Sequence, residues 1–471
     1  MMIVHGSILT MDKRRRIIED GAVCIDDRRI LEVGNSEELL GLYEARCVID
    51  ARRKVVMPGL IDTHGHPFGL IKAIGEHVDT KDWVRMRHFS EFRGQNEESF
   101  YIEGLLSAIE RLKFGTTFGL TLFNRVDDPV FASMNAEAVE KVGIRGIIAV
   151  GPLLDRWPKT FSKWKKDNRF DKLVDLDEIY QVCERFLKKW PKKDKNKVFG
   201  WLGTSNLGSI KESEKITVDA HMELSQMAHE FDVGITTHAS GGDVEQSYKK
   251  YNILGPNTLL VHCLGLSDKE IQLLKKTDTK VSHNPSVIGF MASSSTGGPT
   301  WPPIVEMIDS GIIVGLGTDG PSGRITTFDM FREIKVAMMM QRLRMRDRWV
   351  MPPGKVLEMA TVDAARVLGM ETEIGSLEPG KRADIIIVDM YKPHLVPIYM
   401  IPYRLTYEAQ GQDVDTVIVN GEVIMENRVV KTVNEERILE RAQNEAERII
   451  DKCGLGPYMK LPKNFWGQTR Y

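Results

Sequence analysis

The chain has 471 residues, 42% hydrophobic and 28% charged, a balance that excludes a disordered polypeptide and allows one large barrel with a smaller partner domain. Its 64 basic and 66 acidic residues leave a net charge of -2, which excludes a global field drawing it to nucleic acid or anionic lipid. Five widely spaced cysteines (Cys24, Cys47, Cys183, Cys263, Cys453) with no C-x-x-C pair argue against a disulfide framework and for a reducing compartment.

Residues 2–56 carry short alternating runs broken by turns, at 3–4, 22–25, 29–33 and 47–49, and these predict small all-β structure. The basic run 13–16 follows an apolar stretch, the reverse order of a secretory leader. No apolar run reaches the ~18 residues of a membrane span, so the expected protein is soluble and cytoplasmic, with no membrane partner. Short apolar runs then alternate with helical patterns. Strands are expected near 55–64, 116–123, 145–150, 198–203, 234–238, 258–262, 280–283 and 312–319, with helices such as 218–230 and 267–276 between them. Eight such units predict an α/β fold, a (β/α)8 TIM barrel. A doubly wound open sheet is the weaker alternative, because the first turn lacks a G-x-G-x-x-G cradle.

The lysine-rich stretch 188–197 follows acidic residues and reads as a solvated surface rather than a nucleic-acid site. Met338, Met339 and Met340 precede alternating arginines and read as a helix with a buried methionine face. The β texture returns at 384–389 and 415–423, so the two ends of the chain can build one β-sandwich. Residues 435–452 form a charged helix with an apolar stripe that docks on the body or on a second subunit. The tail 460–471 adds Phe465, Trp466 and Tyr471, apolar surface suited to a homodimer or larger homo-oligomer. The expected domains are 1–57 and 375–430 for the sandwich, 58–374 for the catalytic barrel and 431–471 for the helix and tail.

The chemistry lies at strand ends. His64 and His66 stand two apart at the end of the first barrel strand, so both imidazoles point to one face and can reach one metal ion. His238, His262, His283 and Asp319 each close a further apolar run, and this C-terminal edge is where barrels carry catalytic groups. The other histidines (His5, His77, His88, His221, His229, His394) fall in loops or helices and read as background, although His77 and His88 can enter the pocket on a loop.

The run 57–66 (MPGLIDTHGH), with Ser282-His283-Asn284-Pro285, Leu316-Gly317-Thr318-Asp319-Gly320 and the late GSLEPGKRAD at 375–384, resembles the amidohydrolase superfamily. Within it the chain is most similar to the branch of triazine hydrolases and of cytosine, guanine and adenosine-derivative deaminases. The likeness runs from the first residues to about residue 430. It implies a metal-bearing barrel with a β-sandwich from both chain ends. It assigns His64, His66, His238 and Asp319 as ligands of one divalent ion, with His262 beside the bound water or the substrate oxygen and His283 and Asn284 at the substrate. Zinc is the first expectation; iron(II), cobalt and manganese also suit the ligand set. Such an ion lowers the pKa of bound water toward neutrality. Asp319 is then the catalytic proton carrier and His262 the oxyanion donor. The carboxylated lysine of binuclear members is missing from the fourth strand end, which reads Gly203-Thr204-Ser205-Asn206, so a mononuclear centre is expected.

Three departures bear on the substrate. The glutamate that protonates a ring nitrogen in this branch, three residues after the fifth-strand histidine, is replaced by Gly241. Asp243 or Glu245 can substitute as proton donor, although each also suits a helix N-terminus. The histidine common at the fourth strand end is absent, and residues 286–289 read Ser-Val-Ile-Gly where Ser-Asn is common. The expected function is therefore hydrolysis of a non-peptide carbon–nitrogen bond at an amide, urea or carbamate-like carbonyl of a small molecule, by attack of metal-bound hydroxide. The alternative is an aminohydrolase of a purine, pyrimidine or triazine-like ring. A non-catalytic scaffold homologue is a minor third reading, against which the intact ligand set speaks.

Overall fold

The computed structural model describes all residues except 68, 73, 75–85, 87–89, 124–128, 153–175, 194–195, 205, 208–213, 291–300, 321–326, 464 and 468–471. Its strands in chain order begin with β1 (Met2–Leu9), β2 (Ile17–Asp26), β3 (Arg29–Asn35), β4 (Val48–Asp50) and β5 (Lys54–Pro58). There follow β6 (Leu60–Gly65), β7 (Thr116–Phe123), β8 (Arg145–Val150), β9 (Val198–Thr204), β10 (Ile235–Ser240), β11 (Thr258–Leu264), β12 (Lys280–His283) and β13 (Val314–Leu316). The last four are β14 (Ile385–Asp389), β15 (Val414–Val419), β16 (Glu422–Glu426) and β17 (Val429–Val430).

Strands β6 to β13 form one eight-stranded sheet in sequence order, each parallel to the next. Parallel strands covered by helices are buried on both faces, which is why β7, β8 and β9 read as continuous apolar or small-residue runs and are buried throughout. The sheet closes at the C-terminal end of its first strand. There Asp319 N donates to His64 O (2.9 Å) and His66 N to Gly320 O (2.8 Å), around a parallel bridge between Gly65 and Gly320. The barrel expected from the eight apolar runs is present, and its seam coincides with the candidate ligands.

The remaining strands make one nine-stranded mixed sheet, ordered β17-β16-β15-β14-β5-β1-β2-β3 with β4 beside β1. It curls over itself: the β2–β3 turn meets the segment before β14, where Gly380 N donates to Ile30 O and Ile30 N to Lys381 O, both 2.8 Å. Ile3, Ile8, Val23, Val56, Ile385 and Ile418 fill the core between its two halves. The expected sandwich is thus a single folded sheet built from both chain ends. The run 55–64, read as one strand, divides at Gly59: β5 pairs with β1 and β14, while β6 pairs with β7 and opens the barrel.

The C-terminal helix (Glu435–Cys453) docks on the same chain. Ile438, Ala442 and Ile449 face inward, and Arg448 Nη2 donates to Gly94 O at 2.9 Å. Met338 and Met340 are buried in the helix Met330–Met345 while Met339 is 52% exposed, so the methionine face is buried at two of its three positions. Lys188 and Lys189 pair with Glu184 and Glu137, a solvated surface as expected. No helix among the described residues is long and apolar enough to cross a membrane, and all five cysteines are free.

Candidate metal centre and active site

Five of the strand-end groups converge. His64 lies in β6 and His66 just beyond it, His238 in β10, His262 in β11, and Asp319 three residues past β13. The His64 ring stands 4.8 Å from that of His66, 5.0 Å from His238 and 5.8 Å from His262, centroid to centroid. Asp319 Oδ1 is 3.1 Å from His66 Nε2 and 3.3 Å from His64 Nε2; Oδ2 is 3.7 Å from His262 Nε2. Ligand atoms of His64, His238, His262 and Asp319 all lie within 4.8 Å of one another. That grouping takes in His262, which the resemblance places beside the substrate, while His66 also faces the shared carboxylate.

Local structure aims these side chains. At the end of β11, His262 (φ 67°) and Cys263 (φ 54°) both adopt left-handed backbone, and the ladder to β10 slips there by one residue. Asp319 is also left-handed (φ 51°). Non-glycine residues are held in this region when surrounding structure fixes them, commonly at functional sites. His66 Nδ1 lies 3.1 Å from Leu122 O. A proton on Nδ1 donated to that carbonyl leaves Nε2 as a lone pair toward Asp319.

The donor set fits a divalent cation. Burial holds the His64 imidazole below its ordinary pKa and that of His262 well below it, so both rings are neutral. Burial alone pushes the Asp319 carboxyl up, but the imidazoles of His64, His66 and His262 outweigh it and hold the group ionised, well below the usual carboxylate range. Both ring nitrogens of His64 and Nδ1 of His262 are buried without a hydrogen bond. Unsatisfied buried polar atoms are costly, and a cation among them supplies the missing partner. Neutral imidazoles with one carboxylate suit zinc, iron(II), cobalt or manganese.

Asn284 adjoins this centre, and His283 precedes it at the end of β12. The point where a Cβ on Gly317 would stand is 2.5 Å from Asn284 Nδ2 and 2.8 Å from His64 N. Both ring nitrogens of His283 and both amide atoms of Asn284 are buried without hydrogen bonds. Burial, helped by the charge of Arg344, pulls the His283 pKa down to about 3, so this ring too is neutral.

The two candidate proton donors part ways. Asp243 begins the helix Asp243–Lys250, and its Oδ2 accepts from Ser240 N at 2.9 Å. Glu245 pairs with Lys249 at 2.7 Å and Lys269 at 2.6 Å. These ammonium groups hold its carboxyl at about 2. Gly241 lies against the next strand's loop: it donates to Leu264 O at 2.7 Å, and a Cβ there would stand 2.3 Å from Gly265 O. The turn therefore has no room for any side chain at that position in its present path.

Sequence reasoning missed three buried titratable groups, Glu333 and the Asp62–Arg111 pair. Glu333 is fully buried on the helix Met330–Met345 and accepts from Ser286 N at 3.0 Å, just past Asn284. Its place on the buried stripe with Met330, Ala337 and Met340 was the available signal. Asp62, two residues before His64, is paired with a buried Arg111. The stretches 79–95, 206–215 and 290–301, which follow barrel strands, read in the sequence as pocket-lining loops; of them residues 79–85, 87–89, 208–213 and 291–300 lie outside the described residues, as do His77, His88 and the tail end 468–471.

The description "Amidohydrolase family" belongs to the family model that matches residues 55–424. The 5'-deoxyadenosine deaminase of Methanosarcina acetivorans is 32% identical over 465 residues, covering 96% of this chain and 99% of that one. The 5-methylthioadenosine/S-adenosylhomocysteine deaminase of Caldanaerobacter subterraneus subsp. tengcongensis is 31% identical over 460 residues, covering 96% and 98%. Among solved structures, an adenosine deaminase from Xanthomonas campestris with bound zinc superposes with a TM-score of 0.81 at 20% identity, covering 96% of this chain and 98% of that one. Atrazine chlorohydrolase TrzN from Arthrobacter aurescens TC1, complexed with zinc, gives 0.80 at 21%, covering 94% and 99%. At these identities the two structures speak for the fold. The family model and the full-length relatives carry the conclusion: this chain belongs to the amidohydrolase family.

Proposed function

We propose that this amidohydrolase cleaves a carbon–nitrogen bond at an already electrophilic carbon of a small molecule, an amide, urea or carbamate-like carbonyl. The observation that carries the reading is Gly241, where the backbone lies against Gly265 O and excludes the side chain that would protonate an aromatic ring. A carbonyl substrate needs no such donor.

His64, His66, His238 and Asp319 would hold one divalent ion, zinc first, and this is the metal bound in the two structural neighbours. When bound, it supplies the Lewis acidity that lets a water lose its proton near neutral pH. Asp319 takes up that proton and delivers it to the leaving nitrogen. His262 donates a hydrogen bond to the oxygen on which charge develops. His283 and Asn284, whose buried polar atoms lack partners, orient the substrate by hydrogen bonds. A cytoplasmic location and a homo-oligomer belong to the same proposal, the latter supported by exposed Leu461 (61%) and Trp466 (78%) in the tail.

A second reading rests on the relatives, which are named as deaminases of 5'-deoxyadenosine and related nucleosides. It makes the chain an aminohydrolase of an adenosine-like ring, with Asp243 as proton donor. A panel of aryl ureas, carbamates and amides, run beside 5'-deoxyadenosine and 5-methylthioadenosine with ammonia as the readout, separates the two. Turnover of carbonyl substrates that survives Asp243→Asn supports the first reading. Ammonia release from the nucleosides that Asp243→Asn abolishes replaces it with the second.

A further inference from the structure

We propose that the buried Arg111–Asp62 pair is a clasp that positions the metal ligands across the barrel seam. The inference rests on the metal-centre reading above. β13 has no ladder to β6; the two meet through backbone contacts at Gly65 and Gly320. Asp62 spans this junction. Its Oδ1 accepts from Thr318 N at 2.9 Å and from His64 N at 3.4 Å, and its Oδ2 from Thr318 Oγ1 at 3.0 Å. One carboxylate thereby ties the backbone of His64 to the residue preceding Asp319. Thr318 Oγ1 in turn accepts from Gly320 N at 3.0 Å, and Gly320 O receives His66 N.

Arg111 fixes that carboxylate from the opposite side. It comes from the helix Glu97–Lys113 and is 2% exposed. Its Nε and Nη2 each lie 3.1 Å from Asp62 Oδ2, Nη1 donates to Thr121 Oγ1 at 2.9 Å, and Nη2 donates to Leu120 O at 3.2 Å. Phe328 stacks 4.0 Å from the guanidinium carbon. Two glycines make its room: a Cβ on Gly65, between the two β6-end histidines, would stand 2.5 Å from Nη2, and one on Gly119 2.9 Å from Nε. A buried ion pair is a poor source of net stability because both charges lose their water. What this pair supplies is geometry, since its hydrogen bonds join β6, β7 and the chain after β13 at the strand ends that carry His64, His66 and Asp319. Groups that orient ligands typically change metal affinity by about 10–100-fold when removed.

The test is cobalt(II) titration of metal-stripped full-length protein, read by chelator competition and by the visible spectrum of the bound ion, with circular dichroism of the metal-free form as the folding control. Arg111→Met is expected to fold and to weaken cobalt binding at least about tenfold with an altered spectrum, and Arg111→Lys to recover part of both. Thr318→Val, which removes two hydrogen bonds without changing volume, is expected to weaken binding severalfold, and it decides the matter if Arg111→Met does not fold. Wild-type affinity and spectrum in folded Arg111→Met, or in Thr318→Val, overturn the clasp. Failure of the wild type itself to bind cobalt overturns the metal-centre reading, and the clasp with it.

Discussion

Glu333 offers a sharp test of how the substrate side of the pocket is built. Its carboxylate is fully buried, anchors Ser286 N, and has Arg332 as its cationic neighbour. Burial raises its pKa from 4.5 to about 7, the charge of Arg332 and the bond from Ser286 offsetting only part. Between these values the folded protein holds a proton that the unfolded chain has released, so stability falls as pH rises from about 4.5 to about 7 and this contribution levels off above it. At about 1.4 kcal/mol per pH unit the loss is about 3 kcal/mol. Glu333→Gln keeps an acceptor for Ser286 N but cannot ionise. Urea unfolding of metal-free wild type and variant, run in parallel from pH 4.5 to 8, is expected to show the variant gaining on wild type by about 3 kcal/mol across this range. Most of the gain should fall below pH 7. A constant difference between the two proteins across the range refutes the assignment of this group as a buried, proton-holding anchor.

Other substitutions probe separate parts of the account. Gly241→Ala is expected to destabilise the fold by about 1–3 kcal/mol, read by thermal unfolding, because its Cβ meets a backbone carbonyl; a variant as stable as wild type contradicts the closed turn. Glu245→Gln should leave both the pH–rate profile and the unfolding midpoint nearly unchanged, as expected of a surface pair; loss of an acidic limb from the profile would identify it as the proton donor. Ile449→Ala, at a fully buried position of the C-terminal helix, should cost about 2–5 kcal/mol by the same unfolding assay, and a negligible change would mean the helix is not docked.

The barrel was legible because parallel strands under helices are buried on both faces, so each announced itself as an apolar run, and five of the eight ended at or near a candidate histidine or aspartate. The convergence of His64, His66, His238, His262 and Asp319 followed from their shared place at strand ends. What escaped was pairing at long range. Nothing near Arg111 marks it as buried, since an arginine late in a helix ordinarily suits solvent and the macrodipole; the space for it comes from Gly65 and Gly119, on two different strands. The pairing of Glu245 with Lys269 was hidden because Lys269, on the following helix, is distant in sequence. The division of 55–64 between two sheets was hidden because both halves are equally apolar, and only the partners of β5 and β6 distinguish them.

Hydrolysis by this chain is proposed to depend on a metal centre formed by the imidazoles and Asp319. Elemental analysis of protein prepared without chelator, paired with turnover of the best substrate found, tests it directly. About one divalent ion per chain is expected, lost in Asp319→Asn, with activity abolished by chelation and restored by zinc or cobalt. Metal-free protein that retains full turnover would contradict the account.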